Sequence, residues 1–352
     1  MRKTNDTGGI GMEKHLPNLT SAEIASLWTA YVNDSMATCI LAYMLTHIED
    51  KDIHVLVKEA LTMSSEHISS LQKLFHQEKF AIPNGFGKQD VNVNAPRLYT
   101  DTFCLSYLNH MSKAGMIGYS GSLAMSARYD LIDYFSTALH KTASLYEKTT
   151  KLALEKGILT RPPYICMPSE VDYIDSKKYI SGFHLFSKNR PVNAVEISHL
   201  FLNIQTNLIG YKICLSFAQT ATSKEVKQFM MRGNEISKKH IKLFADTLLN
   251  DHIPAPMSPD LCITNSTTPV FSEKLMMFHM SLLSATGTGN YATAAAASQR
   301  SDLAFNYERM SLEIGRYAKA GVDIMIKNQW LEQPPGTINK EQLILSPNKK
   351  HE

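Results

Sequence analysis

The chain has little of several things that would announce a function. Its 352 residues include five cysteines, Cys39, Cys104, Cys166, Cys214 and Cys262, and none sits in a C-x-x-C pair. That spacing excludes a compact disulfide scaffold or a zinc ribbon and reads as thiols of a reducing compartment. Charge of one sign is also scarce: 36 Lys and Arg face 33 Asp and Glu, with no basic stripe to suit a nucleic acid. Residues 1–19 lack the apolar core of a signal peptide, so export by that route is not expected, and Met12 could replace Met1 as the start. Long uncharged runs are few. Residues 275–299 are long enough to span a bilayer, but His279, Asn290, Gly287, Gly289 and many hydroxyls read as a helix buried among helices. No transmembrane segment is expected, and a cytoplasmic location is.

What the chain does have is a duplication. At a spacing of 173 residues Glu23 recurs as Glu196, His67 as His240 and Pro83 as Pro256. After the loss of one residue, a spacing of 172 relates Gly115 to Gly287, Tyr119 to Tyr291, Arg128 to Arg300 and Asp130 to Asp302. A period this long means two duplicated domains rather than a solenoid.

Each copy carries four long helical patterns. In the first, Thr20 or Ser21 caps a segment with apolar residues at Ile24, Leu27, Tyr31, Leu41, Leu45 and Ile48. A turn near Lys51 starts a second, and Pro83, Asn84 and Gly85 end it. A third begins at about Leu98 and a fourth runs from about Arg128 to Gly157. The short first connection makes helices one and two antiparallel neighbours, whereas the second, of about 15 residues, is too long for a hairpin. A long crossover after helix two is the ferritin-like arrangement. The expected fold is therefore all-α: two tandem ferritin-like four-helix bundles. The boundaries are a tail over 1–18, bundles over 19–165 and 191–338, a linker over 166–190 and a tail over 339–352.

Several motifs look familiar. Ala95-Pro96-Arg97-Leu98, the run from Phe271 to Phe278, Arg300-x-Asp302 and Trp330-Leu331-Glu332-Gln333-Pro334-Pro335 together resemble a family from endospore-forming bacteria. The resemblance covers about residues 19–340. It implies tandem ferritin-like domains, of unknown function and loosely labelled spore-coat proteins, and it carries over no catalytic residues.

Chemistry, if any, should sit at mid-bundle. The apolar stripe of helix one passes through Asp34, and that of helix two through His67. In an antiparallel hairpin these two lie at one depth, as do Asn207 and His240 in the second copy. Ferritin-like metal sites occupy that level, but they need carboxylates on two helices and Glu-x-x-His on the others. Here Ser64 and Ser237 stand where Glu is required. His110 and His140 could approach the level in the first copy and complete a mononuclear site with Asp34 and His67. Leu282 and Leu312 replace those two histidines in the second. The competing interpretation is a buried polar pair, Asp34 with His67 and Asn207 with His240, that fixes helix register.

Other candidates are weaker. Gly287-x-Gly289-x-x-Ala292 matches a dinucleotide fingerprint but lies in a helical run with no preceding strand. Asp130 and Asp302 suit helix capping. Tyr119, Tyr291, Trp28 and Phe201 read as core. No constellation for nucleophilic catalysis is present. The expectation is a non-enzymatic structural or interaction protein, spore-associated, with no cofactor and with protein partners or self-association. The alternatives are a degenerate metal-binding protein holding a single transition metal, and a helical module for an apolar ligand.

Overall fold

The computed structural model describes residues 17–183, 189–256 and 262–345. The expected tails and the choice between Met1 and Met12 fall largely or wholly outside these residues. The first half contains α1 (Ser21–His47), α2 (Lys51–Gln77), α3 (Asp101–Ala124) and α4 (Tyr129–Glu155). The second contains α5 (Ala194–Thr220), α6 (Lys224–Asn250), α7 (Glu273–Ala297) and α8 (Ser301–Lys327). A short α9 (Lys340–Leu345) lies in what the sequence suggested was a tail. The fold is all-α, in two tandem halves.

Local chemistry sets the helix starts, and the same groups set the topology. Thr20 and Glu23 form a capping box at α1, mirrored by Asn193 and Glu196 at α5. Glu23 reaches further: its Oε1 accepts the backbone N–H groups of Ala127 and Arg128, each at 3.0 Å, in the α3–α4 turn. Burial alone would raise the Glu23 carboxyl, but these amides and that of Thr20 hold it down at about 2. At the other end Asp101, in the first turn of α3, accepts the N–H groups of Glu49 and Asp50 in the α1–α2 turn. So α3 begins where α1 ends, and α4 begins where α1 begins. Salt bridges from Lys141 and Lys148 on α4, and from Lys156 at its C-terminal cap, to Glu66, Glu59 and Asp52 on α2 confirm that those two are antiparallel. Helices α2 and α3 are therefore parallel, and residues 78–100 run the length of the bundle to join them. The second half repeats this wiring, with Glu196 on the amides of Gln299 and Arg300 and Glu273 on those of Thr222 and Ser223.

The two halves share one core cluster, and each has a smaller one of its own. Helices α2, α4, α6 and α8 are amphipathic and lie outside, whereas α1, α3, α5 and α7 are apolar around most of their circumference. That second apolar face is buried against the other half, in a single cluster that includes Met44, Phe103, Phe217 and Met276. The crossovers pair antiparallel across the junction, with bridges Val91–Phe271 and Tyr99–Ile263. Each bridge is the other's counterpart at the 172-residue spacing. So are their flanking hydrogen bonds, Asn92 N–H to the Val270 carbonyl and Thr264 N–H to the Leu98 carbonyl. This is an isologous, two-fold interface of the kind homodimers use, built within one chain. On its axis Tyr107 meets its own counterpart, His279, at 3.2 Å.

Most motifs that carried the sequence resemblance serve this junction. The Tyr43 hydroxyl donates to the Pro96 carbonyl, and Phe271 packs on Tyr43 and Phe217. Glu332 accepts the N–H groups of Asn84 and Gly85, where Gly85 turns the chain with φ of 56°. Burial pushes the thiols of Cys39, Cys104 and Cys214 up, to about 11, 12 and 12, which leaves them inert. No helix of the described residues is long and apolar enough to cross a membrane. Residues 275–299 fall almost wholly within α7, whose Leu275, Met276 and Met277 are fully buried. The glycine motif there is helix interior.

Candidate functional site

The Asp34–His67 level is a buried polar point at mid-bundle in the first half. Asp34 comes from the middle of α1 and His67 from the middle of α2, with Asp34 Oδ2 and His67 Nδ1 3.4 Å apart. Both are buried. A third member joins them from α3: the Tyr119 hydroxyl donates to Asp34 Oδ2 at 2.7 Å and lies 3.0 Å from His67 Nδ1. Desolvation first, and the Asp34 charge second, hold the Tyr119 phenol well above its ordinary value. It is a permanent donor, and Asp34 its acceptor.

The second half keeps the form and changes the chemistry. Asn207 Nδ2–H donates to the Tyr291 hydroxyl at 2.8 Å, and that hydroxyl meets His240 Nδ1 at 2.9 Å. Asn207 and His240 are thus joined through Tyr291. His240 Nε2 then reaches Glu313 on α8 at 3.1 Å, and Glu313 also pairs with Lys239. Burial lowers the His240 imidazole, although Glu313 pulls the other way. Tyr119 and Tyr291 were read from the sequence as core aromatics. Their repetition in register with the histidines was the signal that they belong to the polar cluster.

His110 and His140 do not join it. His110 is nine residues before Tyr119 on α3, and at about 100° per residue that is half a turn away. It faces the junction between halves, buried, with Nε2 lacking a protein partner. His140 lies two residues from both Ala138 and Thr142, which face the core, and so points out, where its Nδ1 meets the Ser136 carbonyl. Equal depth along the bundle says nothing about azimuth. Among the described residues no group of three or more His, Cys, Asp or Glu is placed to hold a metal ion. The four-residue set Asp34, His67, His110 and His140 is divided by the fold into one pair and two separate residues.

Beside the polar cluster lies a cavity of about 340 Å³ between α1 and α3. It runs along α1 from Thr29 to Leu41 and along α3 from Ser122 back to Tyr107. Twelve residues of helix make that length about 18 Å. Met36, Met63 and Met111 supply adaptable apolar walls, and Asp34 and Tyr119 are among the polar groups that line it. The equivalent space in the second half is about 50 Å³. The sequence explains the difference. Ala37 and Ala60 become Gly210 and Gly233, so α5 and α6 close up; a Cβ on Gly233 would meet Cys214 Sγ at 2.8 Å and also strike the Tyr317 ring. Helix α7 then approaches α5 more closely than α3 approaches α1.

A family model matches residues 8–171 and again 181–343, once for each half. The chain belongs to the DUF3231 family, described as proteins of unknown function. The family's unit is thus one half, and this member carries two. Among solved structures, a crystal structure of a Bacillus halodurans C-125 protein, described provisionally as a spore coat protein, is similar at 21% identity. The match covers 43% of this chain and 98% of that one, with a TM-score of 0.39. No curated protein matches the chain.

Proposed function

We propose that this protein is a non-enzymatic binding module whose first half, ferritin-like in topology, holds an elongated apolar molecule. The observation that carries this is the cavity of about 340 Å³, against about 50 Å³ at the equivalent place in the second half. The larger lies within the range that small-molecule sites occupy, roughly 300–1,000 Å³, and the smaller far outside it. Its walls are mostly apolar, with hydroxyls such as those of Ser64, Ser112 and Thr142 spaced along them, which suits an elongated apolar molecule that carries a few hydrogen-bonding groups. The second half then acts as scaffold, closed by Gly210 and Gly233.

A fluorescent apolar probe, N-phenyl-1-naphthylamine, tests this reading. Gly118 lines the cavity and has nothing within 4 Å of where a Cβ would stand. Gly118→Leu with Ala114→Leu is expected to fill much of the space and to lower probe affinity at least about tenfold, the value of losing about 1.4 kcal/mol. Equal binding by parent and filled protein would sink it.

A degenerate metal site is the weaker alternative, because Asp34 and His67 supply only two ligands where a stable transition-metal site takes four. Metal analysis of the purified chain is expected to find no stoichiometric transition metal. One tightly held ion per chain, absent from a His67→Ala variant, would reverse that assignment.

A second reading, attachment to other proteins of the spore, is favoured by the segment between the halves. There Tyr164, Met167, Val171 and Tyr173 are 80–89% exposed. Monomeric surfaces seldom leave so many large apolar groups in succession uncovered. The resemblance to proteins of endospore-forming bacteria supplies the setting.

A further inference from the structure

His67 faces two ways. Its Nδ1 side meets Tyr119 and Asp34, and its Nε2, on the far side of the ring, is buried with no hydrogen-bond partner in the protein. His67 also lines a second pocket, of about 300 Å³, between α2 and α4. Its walls are Ser70, Lys73, Tyr134, Thr137 and Lys141, and the Tyr134 hydroxyl is also without a partner. His67 is 4% exposed, and a buried imidazole nitrogen left unsatisfied costs free energy.

The second half identifies the missing partner. At His240 the same nitrogen contacts the Glu313 carboxylate at 3.1 Å, held beside Lys239 at 2.6 Å. The residue of the first half equivalent to Glu313 is Lys141, and the one equivalent to Lys239 is Glu66. The ion pair survives with its charges exchanged, Lys141 to Glu66 at 2.8 Å. The exchange removes the carboxylate from the imidazole and leaves a cation at the pocket's rim. Meanwhile the chain's acid has moved to the inner end, where Asp34 replaces Asn207.

We propose that the pocket between α2 and α4 binds a small carboxylate, which accepts a hydrogen bond from His67 Nε2 where Glu313 does so at His240. Tyr119 donates to Asp34, so its oxygen is free to accept from His67 Nδ1. With a ligand carboxylate accepting from Nε2, both ring nitrogens donate, and in the complex the imidazolium lies between two acids. The charged and titratable groups facing it are Asp34 on α1, Tyr119 on α3, Tyr134 and Lys141 on α4, and Glu66 and Lys73 on α2 itself. Asp34 compensates the new charge on one side and the ligand on the other, while Lys73 and Lys141 attract the anion.

Titration of the full chain with sodium acetate, followed by the His67 ring-nitrogen NMR signals at constant ionic strength, tests this. Saturable binding is expected, with both His67 ring-nitrogen signals moving along one curve as acetate is added. Glu66→Lys with Lys141→Glu builds the second half's own carboxylate into the first and should abolish acetate binding. The reciprocal pair, Lys239→Glu with Glu313→Lys, should create acetate binding at His240. Chloride acting as well as acetate (an adventitious ion only), or preference for methylammonium over acetate, would each overturn the proposal.

Discussion

Between pH 6.5 and 4 the folded chain is expected to lose roughly 3 kcal/mol of stability through His110 and a similar amount through His279. Both imidazoles are fully enclosed at the junction of the halves. Desolvation is the main cause that pushes His110 down to about 4 and His279 to about 3, with Lys113 and His110 respectively adding a like-charge effect. The sign follows from proton counting. Above the ordinary histidine value both states are neutral and stability is full. Below it the unfolded chain takes up protons that the folded chain refuses, so stability falls, and the fall ends only when pH passes the folded values. A protein with about 5–15 kcal/mol in hand cannot absorb that loss easily. The second half shows how to remove one share: His110 is replaced there by Leu282. His110→Leu is expected to be about 2 kcal/mol more stable than the parent at pH 5 and to show a shallower pH dependence of the urea midpoint. Parallel pH profiles for the two proteins would show that His110 does not titrate on unfolding. Glu23 adds a further loss at lower pH, between its ordinary value and about 2.

Arg128→Ala is expected to cost about 3–5 kcal/mol, because it strips one partner from a buried ionic network. The Arg128 side chain is 2% exposed. It gives two hydrogen bonds to Asp130, one to Glu78 at 2.7 Å and one to the Pro17 carbonyl. That single guanidinium ties the end of α2 and the start of α4 to the segment leading into α1. Arg300 does the same in the second half with Asp302, Asp251 and the Arg190 carbonyl. Arg128→Lys should lose most of this, since one ammonium cannot replace a planar fork. By contrast Lys242→Ala, which removes an exposed pair with Asp246, should change stability by less than about 0.5 kcal/mol. Chemical denaturation of the three variants separates these cases. If Arg128→Ala and Lys242→Ala behave alike, the network contributes nothing beyond a surface pair.

Arg128 also illustrates how far residue patterns reach. Its spacing to Asp130 beside a turn suggested capping, and Asp130 does accept the Leu131 N–H. The guanidinium's reach to Glu78 and Pro17 is a contact across the fold that no local pattern encodes. Asp34 and His67 are the reverse case. Both lie on apolar stripes of one hairpin, and an antiparallel pair equates depth from the turn, so their meeting was legible. His110 and His140 have the right depth and the wrong azimuth, because a helix rotates about 100° per residue and core stripes tolerate several faces. Tyr119 was visible as a repeated residue but not as a donor, since an aromatic in register is most often core.

The duplication, the eight long helices and the crossover in each half were determined by the sequence itself, because periodicity, caps and connection lengths are local quantities. The two-fold junction, the difference in cavity size between the halves and the exchange of charge around the two histidines were decided by tertiary structure. Each depends on which faces of distant helices meet, and on alanine-to-glycine changes whose effect is felt only where another helix approaches.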